Sequence, residues 1–102
     1  MYELTTKITN NTLYYTFNGS ITSNNAEEIN GLIESNYVTA EKVVFDFGNV
    51  DYISSAGLRI VLKYSKTYPN FEVINVNKEV YEIFEMTGFT EMLNVKKAYK
   101  NV

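Results

Sequence analysis

The stretch Asp51-Tyr52-Ile53-Ser54-Ser55-Ala56-Gly57-Leu58 joins two unlike patterns. Upstream, Val43 to Phe47 is an apolar run interrupted only by Asp46, while downstream Leu58, Val61, Leu62 and Ser65 recur at the spacing of one helix face. The run reads as a short strand buried on both faces, and the periodic segment as a helix from Ser55 to Tyr68. A buried strand leading directly into a helix is half of a crossover unit, so α/β with parallel pairing is the expected class. Ser54 and Ser55 fall at the helix entrance. The first four amides of a helix lack intrahelical partners and carry partial positive charge, so a hydroxyl there is either a cap or a switch that, once phosphorylated, meets ready donors.

Toward the N-terminus, Tyr2, Leu4, Thr6 and Ile8 alternate with Glu3, Thr5 and Lys7. Asn10 and Asn11 make a turn, after which Leu13, Tyr15 and Phe17 alternate with Tyr14, Thr16 and Asn18. This predicts an antiparallel hairpin with one buried face, ended by Gly19. Asn24 with Glu27 three residues on forms a capping pair, and Ala26, Ile29, Leu32 and Ile33 follow on one face to Asn36. Toward the C-terminus, Pro69 and Asn70 close the Ser-bearing helix and Phe71 to Val76 is a strand. Asn77 then caps a helix whose buried face is Val80, Ile83 and Phe84, with Gly88 as its left-handed terminator. Met92 to Val95 is expected as a short edge strand. The order predicts one α/β domain over residues 1–102: a mixed four- to five-stranded sheet opened by an antiparallel hairpin, with helices packed on it.

Composition narrows the chemistry. A chain of 102 residues with 45% hydrophobic residues, nine Tyr and six Phe has the material for a packed core. Nine basic against twelve acidic residues give a net charge of -3, and the basic ones are scattered except for Lys96, Lys97 and Lys100, which read as the solvated face of a helix. No nucleic-acid partner is expected. Met1 to Ile8 alternates instead of forming an apolar signal core, and no run is long enough to span a bilayer, so no membrane contact and a cytoplasmic location are expected. With no cysteine and no histidine, zinc sites on thiolate or imidazole and Ser-His-Asp or Cys-His catalysis are excluded. The glycines at 19, 31, 48, 57 and 88 spell neither a P-loop nor a dinucleotide fingerprint. Paired carboxylates such as Glu27 and Glu28, or Glu82 and Glu85, lie on helices where exposure accounts for them. A non-enzymatic chain without cofactor or metal is the expectation.

Three landmarks then coincide: Phe17-Asn18-Gly19 followed by the Asn24 helix, the block Val44-Phe45-Asp46-Phe47 through Tyr52-Ile53-Ser54-Ser55-Ala56-Gly57-Leu58, and Ile83-Phe84-Glu85-Met86-Thr87-Gly88-Phe89. Together they resemble the STAS domain, the family of bacterial anti-sigma factor antagonists, over nearly the whole chain. In that family the loop before the second helix usually reads Asp-Ser-(Ser/Thr/Ala)-Gly-Leu, and the Ser two positions ahead of the Gly is phosphorylated; here that position is Ser55. The chain departs from the pattern at Ser54, where many members carry Asp, and at Thr22, where many carry Asp in the turn after the second strand. The resemblance implies a switch protein that, with Ser55 unmodified, binds a serine-kinase anti-sigma factor and frees the sigma factor. The kinase would turn it off and a PP2C-type phosphatase would restore it, nucleotide and Mg2+ belonging to the kinase.

Other readings stay open at each position. Ser54 is the second choice as phosphosite, and either serine can be a plain cap. Gly57 is costly in a first helical turn, which fits close approach of a partner or close packing of helix on sheet. Arg59 is a partner contact or a solvated side chain. Ser54 and Ala56 are further partner-contact candidates in the loop, and the resemblance places Thr22, Ser23, Asn24 and Asn25 beside it as partner contacts, although they also read as a turn and cap. Asp46 is read first as a turn former. Phe84, Met86 and Phe89 are expected in the core, with an apolar docking patch as the other reading. Two alternative functions remain: a STAS module for a secretion, motility or transporter partner, and a small-molecule or lipid binder using the surface around Phe84 to Phe89. A monomer is the default for a partner-binding domain of this size.

Overall fold

β1 (Tyr2–Thr9) and β2 (Thr12–Gly19) form the expected hairpin in a computed structural model that describes residues 2–68 and 70–98. Asn10 and Asn11 take φ of 51° and 63°, the pair of left-handed conformations that a two-residue type I′ turn requires. The chain continues through α1 (Ala26–Ser35), β3 (Lys42–Asn49), α2 (Ser55–Thr67), β4 (Phe71–Val76), α3 (Lys78–Met86), the one-turn α4 (Phe89–Met92) and β5 (Asn94–Lys97). The sheet order is β1-β2-β3-β4-β5, antiparallel in the first pair and parallel in the rest.

Because each parallel strand is laid beside the one before it in a constant direction, right-handed crossovers place every connecting helix on the same face. The core shows this. Ile29 and Ile33 of α1, Leu58, Val61 and Tyr64 of α2, and Val80 and Phe84 of α3 join one cluster with Leu13, Tyr15, Phe17, Val43, Phe45, Phe47, Phe71 and Val73 of the sheet. Its centre is aromatic: Phe45 meets the Tyr15 and Phe71 rings edge-on at 5.7 and 4.8 Å. Tyr15 keeps its one polar atom partnered by donating its hydroxyl to the Ile33 carbonyl at 2.9 Å, and burial pushes its pKa up to about 12. No described helix packs on the other sheet face. Val44 is buried there outside the main cluster, in register with Glu72, which is buried and paired with Lys42 at 2.9 Å and Lys96 at 3.0 Å.

Several expectations shift. The helix face of β1 is half-buried only at Tyr2 and Leu4; Thr6 and Ile8 are exposed, because α1 does not reach over that end. Asn24 is not the cap of α1: the helix begins one residue later, with Asn25 in the N-cap position and no side-chain cap bond. Asn77 does cap α3, accepting from the Val80 N–H at 2.9 Å. Val80 and Phe84 are buried and Ile83 half-buried. Gly88, at φ 81°, ends α3 in the left-handed conformation and starts α4, which no pattern announced. Met92 therefore closes a helix, and the edge strand runs from Asn94 to Lys97 instead of Met92 to Val95. Lys96 and Lys97 lie on that strand, not on a helix face. Phe84 and Phe89 are in the core, whereas Met86 is 83% exposed. Pro69 and Lys100 lie outside the described residues.

Candidate functional site

Two loops at the C-terminal ends of β2 and β3 make the site. β2 ends at Gly19, whose φ of 102° turns the chain, and β3 ends at Asn49. Beyond them Ile21 and Ile53 pair as an isolated parallel bridge: the Ile21 N–H donates to the Tyr52 carbonyl at 2.9 Å, and the Ser54 N–H to the Ile21 carbonyl at 2.8 Å. Both isoleucine side chains are buried. Ser20 tightens the pairing by donating its hydroxyl to Asp51 Oδ1 at 2.7 Å. This zipper holds the turn Thr22 to Asn24 next to the start of α2, so the candidate residues from the two loops do come together.

The two serines then part company. Ser54 has extended backbone (φ -85°, ψ 173°) and is the N-cap of α2, its Oγ accepting from the Gly57 N–H at 3.2 Å. Ser55 is the first residue of the helix and is exposed, and among the described residues its hydroxyl has no hydrogen-bond partner. The cap role is thus filled by one hydroxyl while the other faces solvent at the positive end of a thirteen-residue helix. Gly57 is buried. A Cβ at that position would meet Ile21 Cγ2 and Ile53 Cγ1, each at 2.7 Å, so the glycine lets α2 settle onto the zipper. Ala56 is half-buried, and Arg59 is exposed one turn after Ser55.

Across from these, Thr22 is half-buried and Ser23 and Asn24 are exposed. The turn is braced by Asn25, in keeping with the reading of Thr22 to Asn25 as a turn and cap: its Oδ1 accepts from the Thr22 N–H at 2.8 Å and its Nδ2 donates to the Ser20 carbonyl at 3.0 Å. Thr22 Oγ1 in turn accepts from the Asn24 N–H at 3.2 Å. Tyr52 is also exposed beside the site, and the alternation of Tyr52 with buried Ile53 was the available signal. Between α1 and α2 runs a shallow groove of about 250 Å³ lined by Ala26, Glu27, Asn30, Ala56, Arg59, Ile60 and Lys63. At its far end Lys63 pairs with Glu34 at 2.8 Å and holds that carboxyl below the usual range. Burial, with the Glu34 charge behind it, pushes the Tyr64 hydroxyl well above its ordinary value, so it stays protonated and donates to Asn30 at 2.8 Å. Asp46 caps its own turn, Oδ1 accepting from the Gly48 N–H at 2.9 Å. No group of acidic residues among the described ones is placed to hold a metal ion, and no described helix is long and apolar enough to cross a membrane.

Comparison with known proteins agrees with this arrangement. A family model for the STAS domain matches residues 3–102. BtrV of Bordetella bronchiseptica, named for anti-sigma factor antagonism, is 35% identical over 82 residues, covering 76% of this chain and 71% of its own. Among solved structures, an anti-sigma factor antagonist from Mycobacterium paratuberculosis superposes with a TM-score of 0.86 at 15% identity, over 94% of this chain and 86% of that one. The Bacillus cell-fate determinant SpoIIAA in its phosphorylated form gives 0.66 at 15% identity, over 93% and 90%. A sulfate transporter family protein from Wolinella succinogenes gives 0.75 at 16% identity, over 91% and 82%. At such identities the structural likenesses speak for the fold alone. The family match and the sequence relative carry the assignment: the chain belongs to the STAS domain family, alongside the bacterial anti-sigma factor antagonists.

Proposed function

We propose that this protein is a non-enzymatic, phosphorylation-switched antagonist that binds a serine-kinase anti-sigma factor through the paired loops and the start of α2, and so regulates transcription indirectly. The observation that carries the reading is the division of labour at the helix entrance: Ser54 caps α2, leaving Ser55 exposed and unengaged. Phosphorylation would add roughly -1.5 to -2 charges and three acceptor oxygens at a helix end that tolerates them, so the domain stays folded. A partner surface matched to a neutral hydroxyl would face a dianion that must be desolvated, and losing about 3 to 4 kcal/mol weakens binding several hundredfold. The kinase supplies nucleotide and Mg2+, and a PP2C-type phosphatase resets the switch.

The test is a phosphorylation assay with the cognate kinase on the wild type, Ser55→Ala and Ser54→Ala. Uptake should vanish in Ser55→Ala and persist in Ser54→Ala; the reverse would move the site by one residue. A second reading is a STAS module serving a non-sigma assembly, since the same fold also occurs in a sulfate transporter family protein. Affinity capture that returned a transporter or secretion assembly without any kinase and sigma pair would decide for it.

A further inference from the structure

β1 stands at the end of the sheet order and pairs with β2 alone, leaving its outer edge without a strand among the described residues. Long edge strands are usually blunted by Pro, a bulge, inward charge or charged side chains along the edge, and of these β1 carries only Glu3 and Lys7. β1 is eight residues long, has no Pro, and keeps an unbroken register from Tyr2↔Gly19 to Thr9↔Thr12. A two-residue turn between the paired Thr9 and Thr12 sets the Thr12 N–H against the Thr9 carbonyl, so Thr9, Lys7, Thr5 and Glu3 direct their backbone groups at β2. Tyr2, Leu4, Thr6 and Ile8 therefore present theirs outward.

A second β1 laid antiparallel must set outward-bonding residues against one another. The register with its two-fold axis at Thr5 does so, pairing Leu4 with Thr6 and Tyr2 with Ile8 of the other copy. It also sets Glu3 against Lys7 twice, and those two residues are the only charges on the strand. Registers of the same parity centred on Leu4 or Thr6 leave these charges facing threonine or Met1, and those centred on Glu3 or Lys7 set like charges together. Ile8, 51% exposed, gains Tyr2 as a cross-strand neighbour only in the Thr5-centred register. We infer that the protein self-associates as a two-fold dimer through β1, joining the two five-stranded sheets edge to edge. Ser55 lies at the start of α2, an element other than the β1 edge strand.

The experiment is sedimentation equilibrium from micromolar to millimolar protein on the wild type, Glu3→Lys, Lys7→Glu and the double exchange. Each single reversal replaces two attractive pairs by two repulsive ones and should weaken the dimer roughly tenfold or more. The double exchange should restore it, and an equimolar mixture of the two single variants should associate although each alone does not, which also shows that both are folded. Thr6→Pro, which removes an outward N–H and no bond to β2, should abolish dimerisation while keeping the native circular dichroism. A wild type that stays monomeric at millimolar concentration, or a dimer indifferent to the charge reversals, overturns the inference.

Discussion

Ser54, Ser55 and Gly57, in the cap and first turn of α2, have separable physical jobs, and substitutions should separate them. Ser54→Ala removes the oxygen that accepts from the Gly57 N–H, which should cost about 1 kcal/mol in urea unfolding. Ser55→Ala removes a solvated hydroxyl and should leave stability within about 0.5 kcal/mol of wild type. Gly57→Ala forces a methyl onto two buried, branched side chains at 2.7 Å, and overpacking of that kind costs about 1 to 3 kcal/mol against the small helix-propensity gain expected of Ala. A stabilised Gly57→Ala variant would mean that Ile21 and Ile53 repack freely. The sequence located the helix entrance to within a residue but left open which serine was the cap, since adjacent hydroxyls are equivalent in any pattern. The choice is made by Ile53, whose pairing with Ile21 extends the chain up to Ser54 and so sets where helical geometry begins.

At the scale of elements, Glu72 couples three strands: its own β4, β3 through Lys42 and β5 through Lys96. Burial of the carboxyl acts to raise its pKa, but the two lysine partners outweigh it and leave the value below the ordinary 4.5. A carboxyl whose folded pKa lies below its unfolded value contributes stability that is present above the unfolded pKa and lost as pH falls through the folded one. Acid titration of unfolding stability should therefore fall more steeply below pH 4.5 in wild type than in Glu72→Gln; parallel curves would deny Glu72 that role. Within the core, Tyr15→Phe leaves the Ile33 carbonyl without its donor and should destabilise the attachment of α1 to β2 by about 1 to 2 kcal/mol, read as a lower urea midpoint. Period-2 and period-3.6 patterns made the hairpin, β3, β4, α2 and α3 legible. α4 was not, because four residues are too few to display a period. That missing turn displaced the expected last strand by two residues, and the lysines read as a solvated helix face are a strand whose Lys96 reaches back to Glu72.

For the molecule as a whole, the mixed sheet opened by a hairpin followed from the order of elements, whereas the strand order β1-β2-β3-β4-β5, which puts the helices on one face, came only with the coordinates, because right-handed crossovers also allow sheets wound in both directions. How far the helices cover that face was not in the pattern, and so the bare end of β1 at Thr6 and Ile8 emerged only with the coordinates. The same architecture keeps the core and Ser55 apart: the core lies between sheet and helices, while Ser55 is exposed at the start of α2, where charge can be added without entering the core. The most direct test is to place phosphoserine at position 55 and measure, side by side, affinity for the cognate anti-sigma factor and the thermal midpoint. The account predicts binding weakened several hundredfold, about 3 to 4 kcal/mol, with the thermal midpoint nearly unchanged. Equal affinity of the two forms, or loss of binding accompanied by unfolding, would contradict it.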